Sequence, residues 1–182
     1  MWISLIVLGL LAAVAGTLVV AAIVLLFVLS RRRAFQPPAS VGQPRRIRAI
    51  EPGEPPIAST AVWRGKELEV TSEAAATVHL FEVPVTGLEQ CAIAWRFRIS
   101  TSRLASRVYA EMWCRIAGMG EFFARAVNQK LHGDNDSVTV ELPFYLKKGQ
   151  QPELLKLNMV FEGPGSVTLQ DLEILATPLA DW

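Results

Sequence analysis

Tyr109, Glu111, Trp113 and Arg115 stand at alternate positions and carry the side chains of this chain best suited to holding a ligand. On an extended strand such positions share one face, so two aromatic rings, a carboxylate and a guanidinium stand in a row. Aromatic faces stack on the C–H-rich faces of sugar rings, and polar groups beside them fix orientation. Arg125, Asn128 and Gln129 are expected on the neighbouring strand and complete the candidate ligand-binding set. A rival reading applies to the rings. A single domain needs large apolar side chains in its core, and Trp95, Phe97, Trp113 and Phe161 are expected there. Trp113 therefore stands in both readings.

Other chemistry finds little support. The sequence holds no Gly-x-Ser-x-Gly, no phosphate-binding loop and no dinucleotide fingerprint, and Gly118-Met119-Gly120 is too short to cradle a phosphate by itself. The two histidines, His79 and His132, form no spaced metal pair. His79, between Val78 and Leu80, reads as the wet face of a strand, and His132 as part of a turn with Gly133 and Asp134. Asp134-Asn135-Asp136 lacks the rest of a calcium loop and reads as a turn. Cys91 and Cys114 make no Cys-x-x-Cys, sit among apolar neighbours, and read as buried free thiols. Paired carboxylates are assembled in space and are not legible here. The expectation is a protein that binds rather than catalyses.

The elements that must position these residues follow period two. Ile93, Trp95, Phe97 and Ile99 alternate with Arg96 and Arg98, and Leu155, Leu157, Met159 and Phe161 alternate with Lys156, Asn158 and Glu162. Val138 and Val140, and the run from Val167 to Ile174, behave alike, the latter with a switch of face near Gln170-Asp171. Strands are also expected over 61–64, 67–71, 77–83, 107–116 and 121–127, separated by Gly-, Asn- and Pro-bearing turns. Ser102 to Ser106 reads as a loop, and Pro143 places its strand at an edge or a bulge. About nine short strands without a convincing helix predict a mainly β, antiparallel sandwich over residues 57–182.

The N-terminal portion differs. Met1 to Ser30 carries no charged side chain, and Arg31-Arg32-Arg33 follows. Residues 1–30 are thus expected to form one transmembrane helix, an uncleaved single-pass anchor in the lipid bilayer, since about 20 apolar residues cross the hydrocarbon core. Gly9 with Ala13 and Ala12 with Gly16 offer a small-residue face for self-association. Residues 31–56 hold six of the eleven prolines and read as a basic, Pro-rich juxtamembrane linker. Its arginines, Arg31, Arg32, Arg33, Arg45, Arg46 and Arg48, come with no acid up to residue 50. They are expected to lie at the membrane surface and, by the positive-inside rule, to keep the domain on the cytoplasmic side of the cell membrane. Of 18 Lys/Arg and 17 Asp/Glu in the chain, residues 57–182 keep 18 − 6 = 12 and 17 − 2 = 15, so the domain is mildly acidic and no nucleic-acid partner is expected.

The stretch from Tyr109 to Leu175 resembles a galactose-binding-like jelly roll of the carbohydrate-binding-module type. The likeness rests on Phe144-Tyr145-Leu146 leading to Leu155 through Gly163, and on the closing run Gly165 to Leu175. The resemblance implies a jelly roll, glycan binding and a structural calcium held by an acid on the last strand, which corresponds to Asp171. Gln170 stands where a second acid is frequent in the family. The expected function is a membrane-anchored, non-catalytic module recognising a glycan or a protein partner. The alternatives are an accessory subunit of a larger membrane complex, or an enzyme whose site is built from scattered acids.

Overall fold

The computed structural model describes residues 36–181. The expected transmembrane segment, its small-residue face, and Arg31, Arg32 and Arg33 lie outside the described residues. Among the described residues no helix is long and apolar enough to cross a membrane.

Nine strands follow one another: β1 (Arg45–Ala49), β2 (Ala61–Arg64), β3 (Glu67–Ser72), β4 (Ala76–Pro84), β5 (Cys91–Ile116), β6 (Gly120–Arg125), β7 (Leu131–Tyr145), β8 (Pro152–Phe161) and β9 (Gly165–Pro178). Among the described residues a single 3-10 turn, Val127–Gln129, interrupts these nine strands. Every strand pairing is antiparallel. The mainly β, antiparallel expectation therefore holds, and the strands are hydrogen-bonded into one continuous sheet that passes through β5.

β5 explains this. It runs for 26 residues, and its two halves have different neighbours. Cys91–Thr101 lies between β9 and β7, whereas Val108–Ile116 pairs with β8 and, from Glu111 on, with β6. Register shifts accumulate between Ile99 and Val108, as expected where a strand bends. Ser102 to Ser106 is accordingly strand and not the expected loop. Leu104, 2% exposed, anchors the bend from inside. Opposite it the β8–β9 turn places glycine at the two close approaches: a Cβ on Gly165 would lie 2.2 Å from Leu104 Cδ1, and one on Gly163 would lie 2.8 Å from Ser106 Cβ.

The two halves of β5 face a common core. Ile93, Trp95, Phe97 and Ile99 from one half join Val108, Ala110, Met112 and Cys114 from the other in a single buried cluster with Phe161, Leu169 and Ile174. Trp95 and Phe97 pack with ring centroids 4.5 Å apart. Phe161 is buried as well, so three of the four aromatic residues expected in the core are there. Trp113 is not: it is half-buried and lies on the opposite side of β5 from Met112 and Cys114. Cys91 and Cys114 are free and buried. Burial raises their thiols to about 11 and about 12, and the Cys114 thiol also feels Cys91.

Residues 31–56 are not a linker throughout. Arg45, Arg46 and Arg48 belong to β1, which pairs with β9 from Arg45↔Ala176 to Ala49↔Glu173, and Ser40 bridges Leu179. Pro44 and Pro52 flank this strand without interrupting it, a placement that costs no ladder hydrogen bond. Arg48 bonds Glu54 at 2.7 Å and Arg46 Nη1 lies 3.8 Å from Glu173. The Asp134–Asp136 region also departs from a plain turn. Asp134 accepts from the Arg103 backbone N–H at 2.5 Å, and Asn135 donates to Thr101 Oγ1 at 2.9 Å, so these residues fasten β7 to the bend of β5. Pro143 lies on β7, an edge strand, as expected.

Candidate binding face

Directly opposed residues of antiparallel strands share a face, so the register fixes what surrounds Glu111. One row runs His79 (β4), Asn158 (β8), Glu111 (β5), Arg125 (β6). The next runs Glu82, Lys156, Trp113, Phe123, and a third runs Pro84, Leu154, Arg115, Glu121. The alternate residues Val78, Leu157, Met112 and Cys114 point into the core. The polar and aromatic residues therefore form the outer face of β4, β8, β5 and β6.

Glu111 is the centre of that face, and its side chain is only 5% exposed. Trp113 Nε1 donates to Oε1 at 2.7 Å, Asn158 Nδ2 to the same oxygen at 3.3 Å, and Arg125 Nε to Oε2 at 2.5 Å. Burial pushes the Glu111 carboxyl up, but the hydrogen bonds from Trp113, Arg125 and Asn158, with the Arg125 charge, outweigh it and hold the group below its ordinary range. The same pairing raises Arg125. The Arg125 guanidinium carbon sits 4.6 Å from the centre of the Phe123 ring, which lies 5.1 Å from that of Trp113 at an interplanar angle of 43°. The contacts close into a loop: Trp113 to Glu111 to Arg125 to Phe123 and back to Trp113.

Around this loop lies a charged rim. Glu121 accepts from Arg115 Nη2 at 2.9 Å and from Lys156 Nζ at 3.0 Å, and hydrogen bonds from Lys156 and Arg115 lower its carboxyl. Lys130 pairs with Glu162, and its ammonium lies 4.8 Å from the centre of the Tyr109 ring.

Among the residues expected to bind ligand, Tyr109, Glu111, Trp113, Arg115 and Arg125 share this face. Asn128 and Gln129 do not: β6 ends at Arg125, both lie on the 3-10 turn, and Gln129 Nε2 donates to the Glu141 carbonyl at 3.2 Å. Phe123 and Asn158 belong to the cluster and were missed. The alternation of Glu121, Phe123 and Arg125 was available to find the first. Asn158 is 47 positions from Glu111 and only the β5–β8 register brings it in.

No protein-family model and no curated protein matches the chain. Solved structures do resemble it. A chain of infectious bursal disease virus Gt strain aligns at 12% identity over 78% of this chain and 34% of that one, with a TM-score of 0.47. The Gx strain gives 13%, 76%, 32% and 0.48. This chain thus spans about a third of the length of those two. A xylan-binding module, CBM15, aligns at 12% identity over 77% of this chain and 98% of that one, with a TM-score of 0.44. Likenesses at this level assign no ligand and no residue role.

Asp171 lies elsewhere, on β9. It has a positive φ of 52° and bonds Arg98 Nε at 2.6 Å through Oδ2. Among the described residues no group of three or more His, Cys, Asp or Glu side chains is placed to hold a metal ion. A nearby cleft of about 570 Å³ is lined by Arg46, Trp63, Lys66, Asp171 and Glu173. Its two acids on β9 are already matched by Arg98 and Arg96, the latter 2.6 Å from Glu173.

Proposed function

We propose that the outer face of β4, β8, β5 and β6 is a non-catalytic binding surface for a glycan chain, with Trp113 and Phe123 as its stacking platform. The burial of Glu111 carries this reading. Taking a carboxylate out of water is costly and is offset only by good partners. Here the partners are the side chains that make the platform, so the carboxylate fixes an indole and a guanidinium before any ligand arrives. Such preorganisation reduces the entropy lost on binding. Both Glu111 oxygens are taken by donors and the group stays ionised at neutral pH, which suits a brace and not a general acid.

The reading extends to the fold and the N-terminus. The architecture carried into this reading is a jelly roll of the carbohydrate-binding-module type, on the resemblance of Tyr109 to Leu175. The uncharged run Met1–Ser30 with its basic stop is read as a single-pass anchor that holds the head near a bilayer, on the cytoplasmic side by its arginines. Retention of the full chain in the pellet after alkaline carbonate extraction is the expected outcome, and release into the supernatant removes the anchor.

The binding test needs residues 38–182, because β1 belongs to the sheet. Titrated against immobilised polysaccharides, this unit is expected to bind. Trp113→Ala or Phe123→Ala should weaken binding by at least about tenfold, or ~1.4 kcal/mol, while Asp171→Ala leaves it intact. A flat response across a broad glycan array would falsify the proposal.

A further inference from the structure

Among the described residues the sheet has five edge strands, and four are protected. β1 is five residues long and lies between Pro44 and Pro52. β2 is four residues long. β4 is capped by the backbone N–H groups of Ile57 and Ala58, which bond the carbonyls of Leu80 and His79. β7 carries Pro143. These are the ordinary means by which proteins blunt an edge. Among the described residues β6 has none of them: it pairs there with β5 alone, and its centre reads Phe122-Phe123-Ala124. Met119, Phe122, Phe123 and Val127 are 42–54% exposed, and they make up most of the large exposed apolar side chains among the described residues.

We propose that β6 pairs antiparallel with β6 of a second copy of this chain, about a two-fold axis at Phe123. The charges select both the occupant and the register. In an antiparallel self-pair centred on Phe123, Glu121 of each copy stands opposite Arg125 of the other, twice by symmetry. Phe122 then faces Ala124 of the second copy, so the larger exposed ring on the inner face meets a small partner. Centring the pair on Phe122 or Ala124 instead sets a charge against Phe123 and forfeits both ion pairs. The pairing also joins the outer faces of the two copies. Trp113 and Phe123 of one copy continue into Phe123 and Trp113 of the other, so each copy completes the other's platform. That last consequence rests on the glycan reading; the pairing itself does not.

Directly opposed residues have Cα atoms about 4.5–5.5 Å apart, within reach of a disulfide. The native thiols are buried and serve as a silent background. In the full chain under mild oxidation, Phe123→Cys is expected to crosslink to itself, whereas Met119→Cys and Val127→Cys, which are similarly exposed, do not. A mixture of Phe122→Cys and Ala124→Cys chains should crosslink where neither does alone. Adding Glu121→Lys to Phe123→Cys should abolish the crosslink, because each copy then opposes Lys to Arg. Equal crosslinking at 119, 123 and 127, no crosslink at 123, or indifference to Glu121→Lys each overturns the pairing. Association through the apolar N-terminus would give the last of these. Crosslinking without glycan binding would instead sink the glycan reading alone.

Discussion

The two halves of β5 solve the same electrostatic problem in opposite ways. In the first half, Arg96 and Arg98 point outward and pair with Glu173 and Asp171 on β9. The Asp171 side chain is 68% exposed, so that pair sits in water. In the second half the polarity is reversed: the acid, Glu111, belongs to β5 and is buried, and the base, Arg125, comes from the neighbouring strand. Exposed pairs contribute ~0–1 kcal/mol, whereas breaking a buried one leaves uncompensated polar groups. One strand thus carries outward ion pairs, the Asp171 pair in water, at one end and a buried cluster at the other. Only the cluster restrains aromatic side chains.

Glu111→Ala is the sharpest way to break that contrast. It deprives the Trp113 indole, the Asn158 amide and the Arg125 guanidinium of their acceptor together. Arg125 is partly exposed and recovers water, but Asn158 is buried, so a loss of about 3 kcal/mol is expected. Urea unfolding of residues 38–182 reads it directly. A loss under about 1 kcal/mol would mean that the cluster is no stiffer than the outward ion pairs.

The bend between the two halves comes next. Gly165→Ala would drive its Cβ against Leu104, which is fully enclosed and has little room to move. Overpacking of this kind costs about 1–3 kcal/mol. If the variant melts like the parent, the close approach of the β8–β9 turn is not what sets the bend, and the two halves could not be treated as one continuous strand.

Acid sharpens the comparison further. The Glu111 carboxyl is held below its ordinary value of 4.5 in the folded state. A depressed folded value means that the unfolded chain binds the proton more readily, so the contribution is full above pH 4.5 and is lost as pH falls through the folded value. Glu121 is lowered as well and contributes with the same sign from an exposed position. Glu111→Gln should therefore flatten the acid limb of a stability–pH curve without removing it. An unchanged acid limb would show that the buried carboxylate is not a principal acid-sensitive group.

Much of this architecture was legible because it is written in period two. Tyr109, Glu111, Trp113 and Arg115 announce a shared face by spacing alone, and Arg125 joins them through the short β5–β6 hairpin, whose Gly118 and Gly120 adopt positive φ. What stayed hidden depends on distant pairing. β1 lies among prolines and arginines, and its strand character comes from the open side of β9 and not from its own residues. The continuity of β5 through Ser102 to Ser106 rests on one buried apolar residue, Leu104, too few for a pattern. Trp113 reads from the sequence as core first and ligand face second, and the register with Phe123 and Lys156 places it on the outer face. Asn128 and Gln129 followed Arg125 too closely to reveal that the strand had already ended.

The smallest expected effect falls on the outward ion pairs. Asp171 holds a left-handed backbone at φ 52°, which a non-glycine residue adopts at a cost of about 1 kcal/mol. Glycine at this position removes that cost but also removes the exposed bond to Arg98, worth under about 1 kcal/mol, and makes the unfolded chain more flexible by a similar amount. These terms nearly cancel, so Asp171→Gly should leave the urea midpoint almost unmoved. Asp171→Ala loses the ion pair, keeps the strained backbone, and should be destabilised by about 1 kcal/mol. The order of the two variants is the informative result. If glycine were much worse than alanine, the Asp171–Arg98 bond would matter less than the chain stiffness a side chain brings, and the first half of β5 would be held by backbone rather than by charge.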